Sequence, residues 1–441
     1  MSEFSTISQC TSPSKKSLER AYNLSIEKSK QSFSQCLGNS FRQTVAGIFS
    51  DRRMKPSVML EGHIISTKAR ISQSEGEYIL VAQDTTYYNY SGHCAMAGLG
   101  KIQGKVLGIM QHNLLAISEL GIPLGVLGQE YWSRESSQNY QGKESEKWLR
   151  GLATVNQELG ETDKKVVLIQ DREADIYSFF QAQRAKSVDL IVRVHEPRKL
   201  EIVESGEIYK LEEMREKLPV VGEKPVTILR KGKEITLVLS LRAGKVNVLG
   251  GKKNQTGKAK TEGLSLVIAE EKEAFERKGK SVFDPEERAI WYLLTSLPIE
   301  NQAEIERVTI FYALRWRIER FHYTLKSGAL EVEKLQFDDL ETTINGLTFY
   351  SIVGWQILAI VYLTREEKDQ VASVCFEEKE IAILEVMSRK VIKTVKEATL
   401  ALVKLAGFAP SKRQPMPGIK VLAQSLERFH YIKFGFEAKP I

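Results

Sequence analysis

Val166-Val-Leu-Ile-Gln170-Asp171-Arg172-Glu173-Ala174-Asp175 is a short apolar run, rich in strand formers, that stops on an acidic turn. The run is the length of a buried strand, and its lack of alternation fits a strand covered on both faces. Tyr78-Ile-Leu-Val-Ala-Gln83 repeats the pattern and ends on Asp84-Thr85-Thr86. An Asp placed just after a buried strand stands where an open α/β sheet presents its functional residues. The same residue is also an ordinary helix cap, so either Asp alone decides little.

A third segment supplies the next acid. Tyr312-Ala-Leu-Arg315-Trp-Arg-Ile-Glu319-Arg-Phe-His-Tyr-Thr-Leu-Lys326 has no Gly or Pro and good helix formers throughout, which predicts a single helix. At about 100° per residue, Tyr312, Arg315, Glu319 and Lys326 fall within an arc of roughly 60°. A carboxylate between two cations suits a metal whose neighbours grip phosphate oxygens. The same pattern also fits a salt-bridged surface helix. Two strand-end aspartates and a helix-borne Glu nevertheless make three hard oxygen ligands from three distant segments. That is the ligand set of a Mg²⁺ pair, with Mn²⁺ as a substitute, and two-metal sites perform in-line phosphoryl transfer.

Around these segments the chain divides into three expected regions. Residues 1–76 read as a polar, helical N-terminal region, whose basic residues Lys15, Lys16, Arg20, Arg42, Arg52, Arg53 and Lys55 suit phosphate contacts or a solvated cap. Residues 77–339 alternate strands and helices, with Gln111 to Ser118 and Ile122 to Trp132 as a hairpin around Gly121. A β-rich insertion at about 201–288 interrupts this region, with basic tips at Arg230-Lys231-Gly232-Lys233 and from Lys252 to Lys260. Residues 340–441 have helical spacing and read as a region for packing and self-association. Hairpins followed by strand–helix units predict a mixed α/β sheet.

Composition is compatible with a nucleic-acid partner. There are 63 Lys+Arg against 56 Asp+Glu, a net charge of +7, and a pI near 8.9. Over 441 residues that is modest, so binding must come from local patches. Cys10, Cys36, Cys94 and Cys375 have neither disulfide-framework nor zinc spacing and read as reduced thiols, which places the chain in the cytoplasm. Residues 1–30 lack the apolar core of a secretory signal. Ile344 to Thr364 is apolar enough to be mistaken for a membrane span, but its Asn345, Gly346 and Gln356 point to a buried helix, and no membrane is expected.

The ordered motifs together resemble the DDE transposases of bacterial insertion sequences, in the group marked by a Tyr-Arg-Glu-Lys signature, the insertion sequence four family. The spacing Y-x2-R-x3-E-x6-K is met by Tyr312, Arg315, Glu319 and Lys326. The Asp84 and Asp171 segments have the family's form, as does Lys143-Glu144-Ser145-Glu146-Lys147-Trp148. The resemblance runs from about Arg42 to the C-terminus. It implies a ribonuclease H-like fold, a catalytic triad of Asp84, Asp171 and Glu319, and two Mg²⁺ ions per site. It implies phosphate contacts from Tyr312, Arg315 and Lys326, a flipped base stacked on Trp291, and a DNA channel lined by Arg193 and Arg198. Its expected activity is cut-and-paste transposition, in which nicked ends close as hairpins, reopen and join target DNA. The partners are double-stranded DNA, as transposon ends and target, and a second copy in a homodimer, in a bacterial, nucleoid-associated setting. The family's end-recognition segment is matched weakly, and the start reads as shortened. A second expectation is therefore an inactive relative that binds DNA or dimerises as an inhibitor. A third is a host nuclease with the same chemistry.

Overall fold

In the computed structural model, residues 2–437 are described except 94, 135–142, 232, 251–259, 277–278, 368 and 413. In chain order, helices α1 (Ser12–Glu27), α2 (Phe33–Leu37), α3 (Asn39–Phe49) and α4 (Pro56–Gln73) precede strands β1 (Tyr78–Asn89), β2 (Gly100–Gln103), β3 (Val106–Ser118) and β4 (Pro123–Trp132). Helix α5 (Lys147–Leu159), β5 (Lys165–Gln170), α6 (Tyr177–Gln181) and β6 (Val188–Val194) follow. The β-rich stretch comprises β7 (Lys199–Ile202), β8 (Ile208–Lys210), α7 (Met214–Lys217), β9 (Val220–Arg230), β10 (Lys233–Leu249) and β11 (Lys260–Glu276). After β12 (Ile290–Thr295) come α8 (Gln302–Leu314), α9 (Trp316–Tyr323), α10 (Leu340–Glu366), α11 (Glu378–Ser388), α12 (Val395–Val403) and α13 (Ile419–Glu437).

These elements form two units that interleave along the chain, unlike the three consecutive regions 1–76, 77–339 and 340–441 of the sequence reading. One holds Met1–Glu75, Thr85–Gln141 and Ile318–Ile441, the other Gly76–Asp84 and Gly142–Arg317.

The first unit is built on α10. Asp339 caps it by accepting the Thr342 N–H at 2.8 Å, and the helix is buried along most of its length. This is the fate the polar residues of Ile344 to Thr364 implied. Buried Asn345 donates to the Phe49 and Met54 carbonyls, and Trp355 Nε1 donates to the Pro123 carbonyl. Gly354 permits close packing: a Cβ there would lie 2.7 Å from Leu325 Cδ2. Beside α10, buried His63 sits between two partners. Its Nε2 accepts the Val126 N–H at 2.9 Å, which places the proton on Nδ1, and Nδ1 donates to Glu3 at 2.5 Å. Arg70 pairs with the same carboxylate at 2.8 Å and stacks 4.0 Å above the Trp355 ring. Burial pushes the His63 imidazole below its ordinary pKa, against the pull of Glu3. Burial works to raise the Glu3 carboxyl, but His63 and Arg70 outweigh it and leave it lowered.

The second unit is a mixed sheet in the order β1-β5-β6-β12-β11-β10-β7-β8, with β9 on β10. β1, β5 and β6 are parallel, and the rest pair antiparallel. The mixed α/β class is therefore as the sequence suggested. The inserted strands continue the sheet from β12 outward, a long-range pairing invisible to local pattern. Ile79 to Ala82 and Val166 to Ile169 are fully buried because both faces are covered. On one face lies α5, with Trp148, Gly151, Leu152, Val155 and Leu159 at helical spacing. It sits so close over β1 that a Cβ on Gly151 would lie 2.3 Å from the Gln83 Oε1. On the other face α8 brings Phe311 to 5.3 Å from the Tyr78 ring, and Arg307 bonds the Tyr78 hydroxyl at 3.1 Å.

Two local expectations need correction. The strand does not end at Asp84 but runs to Asn89, with Thr86, Tyr88 and Tyr90 buried and Thr85, Tyr87 and Asn89 more exposed. β-Branched and aromatic residues at period two continue a strand readily. The single helix over Tyr312 to Lys326 is also interrupted. The Arg315 N–H bonds to the Tyr312 carbonyl, three residues back, and Thr324–Gly328 forms a wider π-helical turn. One helical wheel thus no longer describes the whole signature.

Candidate active site

The parallel register of β1 and β5 pairs Ala82 with Ile169. Asp84 stands two residues beyond Ala82 in β1, and Asp171, the first residue after β5, stands two beyond Ile169, so the alternation continued from that pair directs both side chains to the same face of the sheet. Adjacent strands lie about 4.8 Å apart, which puts two carboxylates side by side. That face is the one under α8. Arg315, at the end of α8, places Nη1 3.8 Å from Asp84 Oδ2, with only 8% of the Arg side chain and 21% of the Asp side chain exposed.

Tyr312 ties this pair to the neighbouring strands. It is buried, and burial raises its hydroxyl above the ordinary pKa, with Arg315 and a hydrogen bond from Arg193 opposing that rise and Asp171 adding to it. The phenol is thereby kept protonated, as a hydrogen-bond donor. Arg193 stands opposite Leu293 in the β6–β12 register, on the face that also carries Trp291. The Trp291 ring meets Tyr312 edge-on, with centroids 5.1 Å apart and planes at 66°. The second unit thus gathers Asp84, Asp171, Arg193, Trp291, Tyr312 and Arg315.

Trp291 is only 4% exposed, so in this structure its indole is a packing residue against Tyr312. Arg198 lies apart from the cluster. Its Nε donates to Asp175 Oδ1 at 2.5 Å, and Asp175 is fully buried. The charge expected at a DNA channel is spent on an internal carboxylate. The tip Arg230 to Lys233 is likewise paired within the unit: Arg230 with Glu271, Lys231 with Glu287 and Lys233 with Glu276. Most of the tip from Lys252 to Lys260 falls outside the described residues.

In the first unit Glu319 lies on α9 and is half-buried. Lys326 donates to the Tyr87 carbonyl at 2.7 Å and stands 3.9 Å from Glu333. His322, on the same short helix as Glu319, is buried and shares a hydrogen bond with Asn113 Nδ2 at 3.1 Å.

Among the described residues, His, Cys, Asp and Glu side chains are nowhere gathered in threes as a metal site. What the second unit offers a divalent ion is the Asp84–Asp171 pair, hard oxygens flanked by Arg315. That donor chemistry fits Mg²⁺ with phosphate better than a softer metal. Sequence reasoning assigned no part to Lys147, Glu173 or Asp175, which surround Asp171. The signal was present in their motifs, Lys143 to Trp148 and Asp171 to Asp175, but not the contacts between them.

Residues 140–350 match the family model described as the transposase DDE domain, a span just short of half the chain. It includes Asp171, Trp291, Tyr312, Arg315, Glu319 and Lys326, while Asp84 precedes it. Among solved structures, the cryo-EM structure of a piggyBac transposase synaptic complex with hairpin DNA aligns over 98% of this chain and 74% of that one, at 10% identity and a TM-score of 0.39. The family match gives the chain a transposase DDE domain over residues 140–350, which supports a DNA transposase function.

Proposed function

We propose that the chain is a cut-and-paste transposase of the Tyr-Arg-Glu-Lys insertion-sequence group, with Asp84, Asp171 and Glu319 as its metal-binding triad. The observation that carries this reading is that Asp84 and Asp171 each lie two residues beyond the last register pair of the adjacent parallel strands β1 and β5, Ala82 with Ile169, with Arg315 against Asp84. A ribonuclease H-like core is the fold we assign to the sheet around them. In support, β1, β5 and β6 run parallel in one unit, and β3 and β4 form a hairpin in the other.

When bound, two Mg²⁺ ions would supply Lewis acidity at the attacking and leaving oxygens of the scissile phosphate. Asp84 would contribute to both ions, Asp171 to one and Glu319 to the other. Arg315 would bind a non-bridging phosphate oxygen, a role suited to a planar, permanently charged donor. Tyr312, kept protonated by burial, would donate to a neighbouring oxygen. Arg193 holds the Tyr312 hydroxyl in place. Lys326 would contact a flanking phosphate from the turn after α9. Trp291 would accept a flipped base only by leaving part of its contact with Tyr312. DNA ends and target would be held by a homodimer, with residues 1–76 contacting the ends and 340–441 contributing to self-association, in the bacterial cytoplasm.

The test is cleavage of a labelled transposon end in Mg²⁺ by the parent and by Asp84→Asn, Asp171→Asn and Glu319→Gln. The expected result is loss of cutting in all three with DNA binding retained. Cutting at the parental rate by any one of them would remove that residue from the triad.

A further inference from the structure

The acidic turn after β5 is anchored at two points, and neither anchor belongs to the triad. Asp171 Oδ1 accepts the Glu173 N–H at 2.9 Å, which fixes the turn Arg172–Ala174 against its carboxylate. The Glu173 carboxylate is in turn held by Lys147 Nζ at 3.2 Å. That ammonium opens α5 with 6% of its side chain exposed, while Glu173 is 57% exposed. A buried ammonium carries a desolvation cost and needs a partner. Glu173, one partner it has here, sits two residues from Asp171.

At the far end of the turn Asp175 is buried, and its carboxylate is directed at the segment after β6. Its Oδ2 accepts the N–H groups of His195 and Glu196, each at 2.9 Å. Its Oδ1 and its carbonyl each accept from Arg198 at 2.5 Å. The turn is therefore bolted to α5 at Glu173 and to the end of β6 at Asp175, with Asp171 as its first residue.

We infer that Lys147 and Asp175 are positioning residues that hold the Asp171 carboxylate in the orientation a divalent ion requires. This rests on the reading of Asp171 as a metal ligand given above. Neither residue contacts the ion. Lys147 acts through Glu173, whose N–H orients Asp171, and Asp175 acts by fixing the end of the turn. Hydrogen-bonded partners of this kind orient metal ligands, and their loss typically weakens metal affinity about 10- to 100-fold.

The experiment measures Mn²⁺ binding to the full-length protein by electron paramagnetic resonance of the free ion, beside thermal denaturation and the metal dependence of end cleavage. Lys147→Met removes the charge and keeps an unbranched side chain in the buried slot. Its Mn²⁺ Kd is expected to rise about 10- to 100-fold with the melting temperature little changed. Lys147→Arg keeps a cation within reach of Glu173 and recovers most of the affinity. Asp175→Asn keeps the volume and is expected to weaken binding in the same direction. If it does not fold, Lys147→Met decides. A folded Lys147→Met protein that binds Mn²⁺ as tightly as the parent, while Asp171→Asn does not bind, overturns the positioning role and leaves the ligand assignment standing. Parental Mn²⁺ binding by Asp171→Asn overturns both.

Discussion

The Arg315 guanidinium stands 3.8 Å from the Asp84 carboxylate, and both side chains are largely withdrawn from water. A charged pair in that setting is coupled more strongly than one on the surface, because little solvent screens it. It places a permanent cation beside the carboxylate that the proposed chemistry uses for both ions.

Arg315→Ala is expected to slow single-turnover end cleavage on the order of a hundredfold to a thousandfold, the usual effect of removing one preorganised electrostatic donor. Arg315→Lys should restore only part of the rate, since an ammonium lacks the planar fork. Cleavage by Arg315→Ala at the parental rate would return the residue to a structural role.

Asp84→Asn should leave DNA binding nearly intact and remove metal-dependent cutting. Loss of about 4 kcal/mol of transition-state charge stabilisation corresponds to roughly a thousandfold in rate. Gel-shift and cleavage assays on one end fragment separate the two effects. Parallel loss of binding and cutting would point to misfolding of β1 instead.

Trp291 has a packing role in this structure, and substitution must be read against it. Trp291→Ala is expected to destabilise the second unit by about 3–5 kcal/mol, measured by chemical denaturation. The milder Trp291→Phe keeps a ring against Tyr312 and is the variant for kinetics. If Trp291 also stacks a flipped base, Trp291→Phe slows hairpin closure more than the first nick, within the 5- to 150-fold that about 1–3 kcal/mol of stacking allows. Equal slowing of both steps would confine the indole to packing.

Acid should weaken the first unit through His63 and Glu3. Both groups have folded-state pKa values below their ordinary ones. The unfolded chain therefore binds protons more readily, and stability falls as pH falls. The loss begins below the ordinary His value of about 6.5 and continues as Glu3 protonates below its ordinary value of about 4.3. His63→Gln should flatten the decline in melting temperature between those two values. An unchanged slope would exclude His63 as its source.

The sequence determined what depends on near neighbours. The apolar runs before Asp84 and Asp171 read as buried strands, and both are strands. The mid-chain β-rich stretch, the buried apolar helix around Trp355 and the acidic residues flanking the strands were equally readable, since each rests on periodicity within a few turns of chain. Tertiary structure decided the rest. It carried β1 past Asp84 because Thr86, Tyr88 and Tyr90 find a face to bury, and it let the inserted strands extend the sheet from β12. It interrupted the signature helix at Arg315, packed Trp291 on Tyr312 and paired Arg198 with Asp175. A charge, an indole or a helix end takes its role from what lies across the fold from it, and those partners are supplied by residues tens of positions away. Residue types in order can name the chemistry, but the partner that each side chain meets is fixed only when the strands come into register.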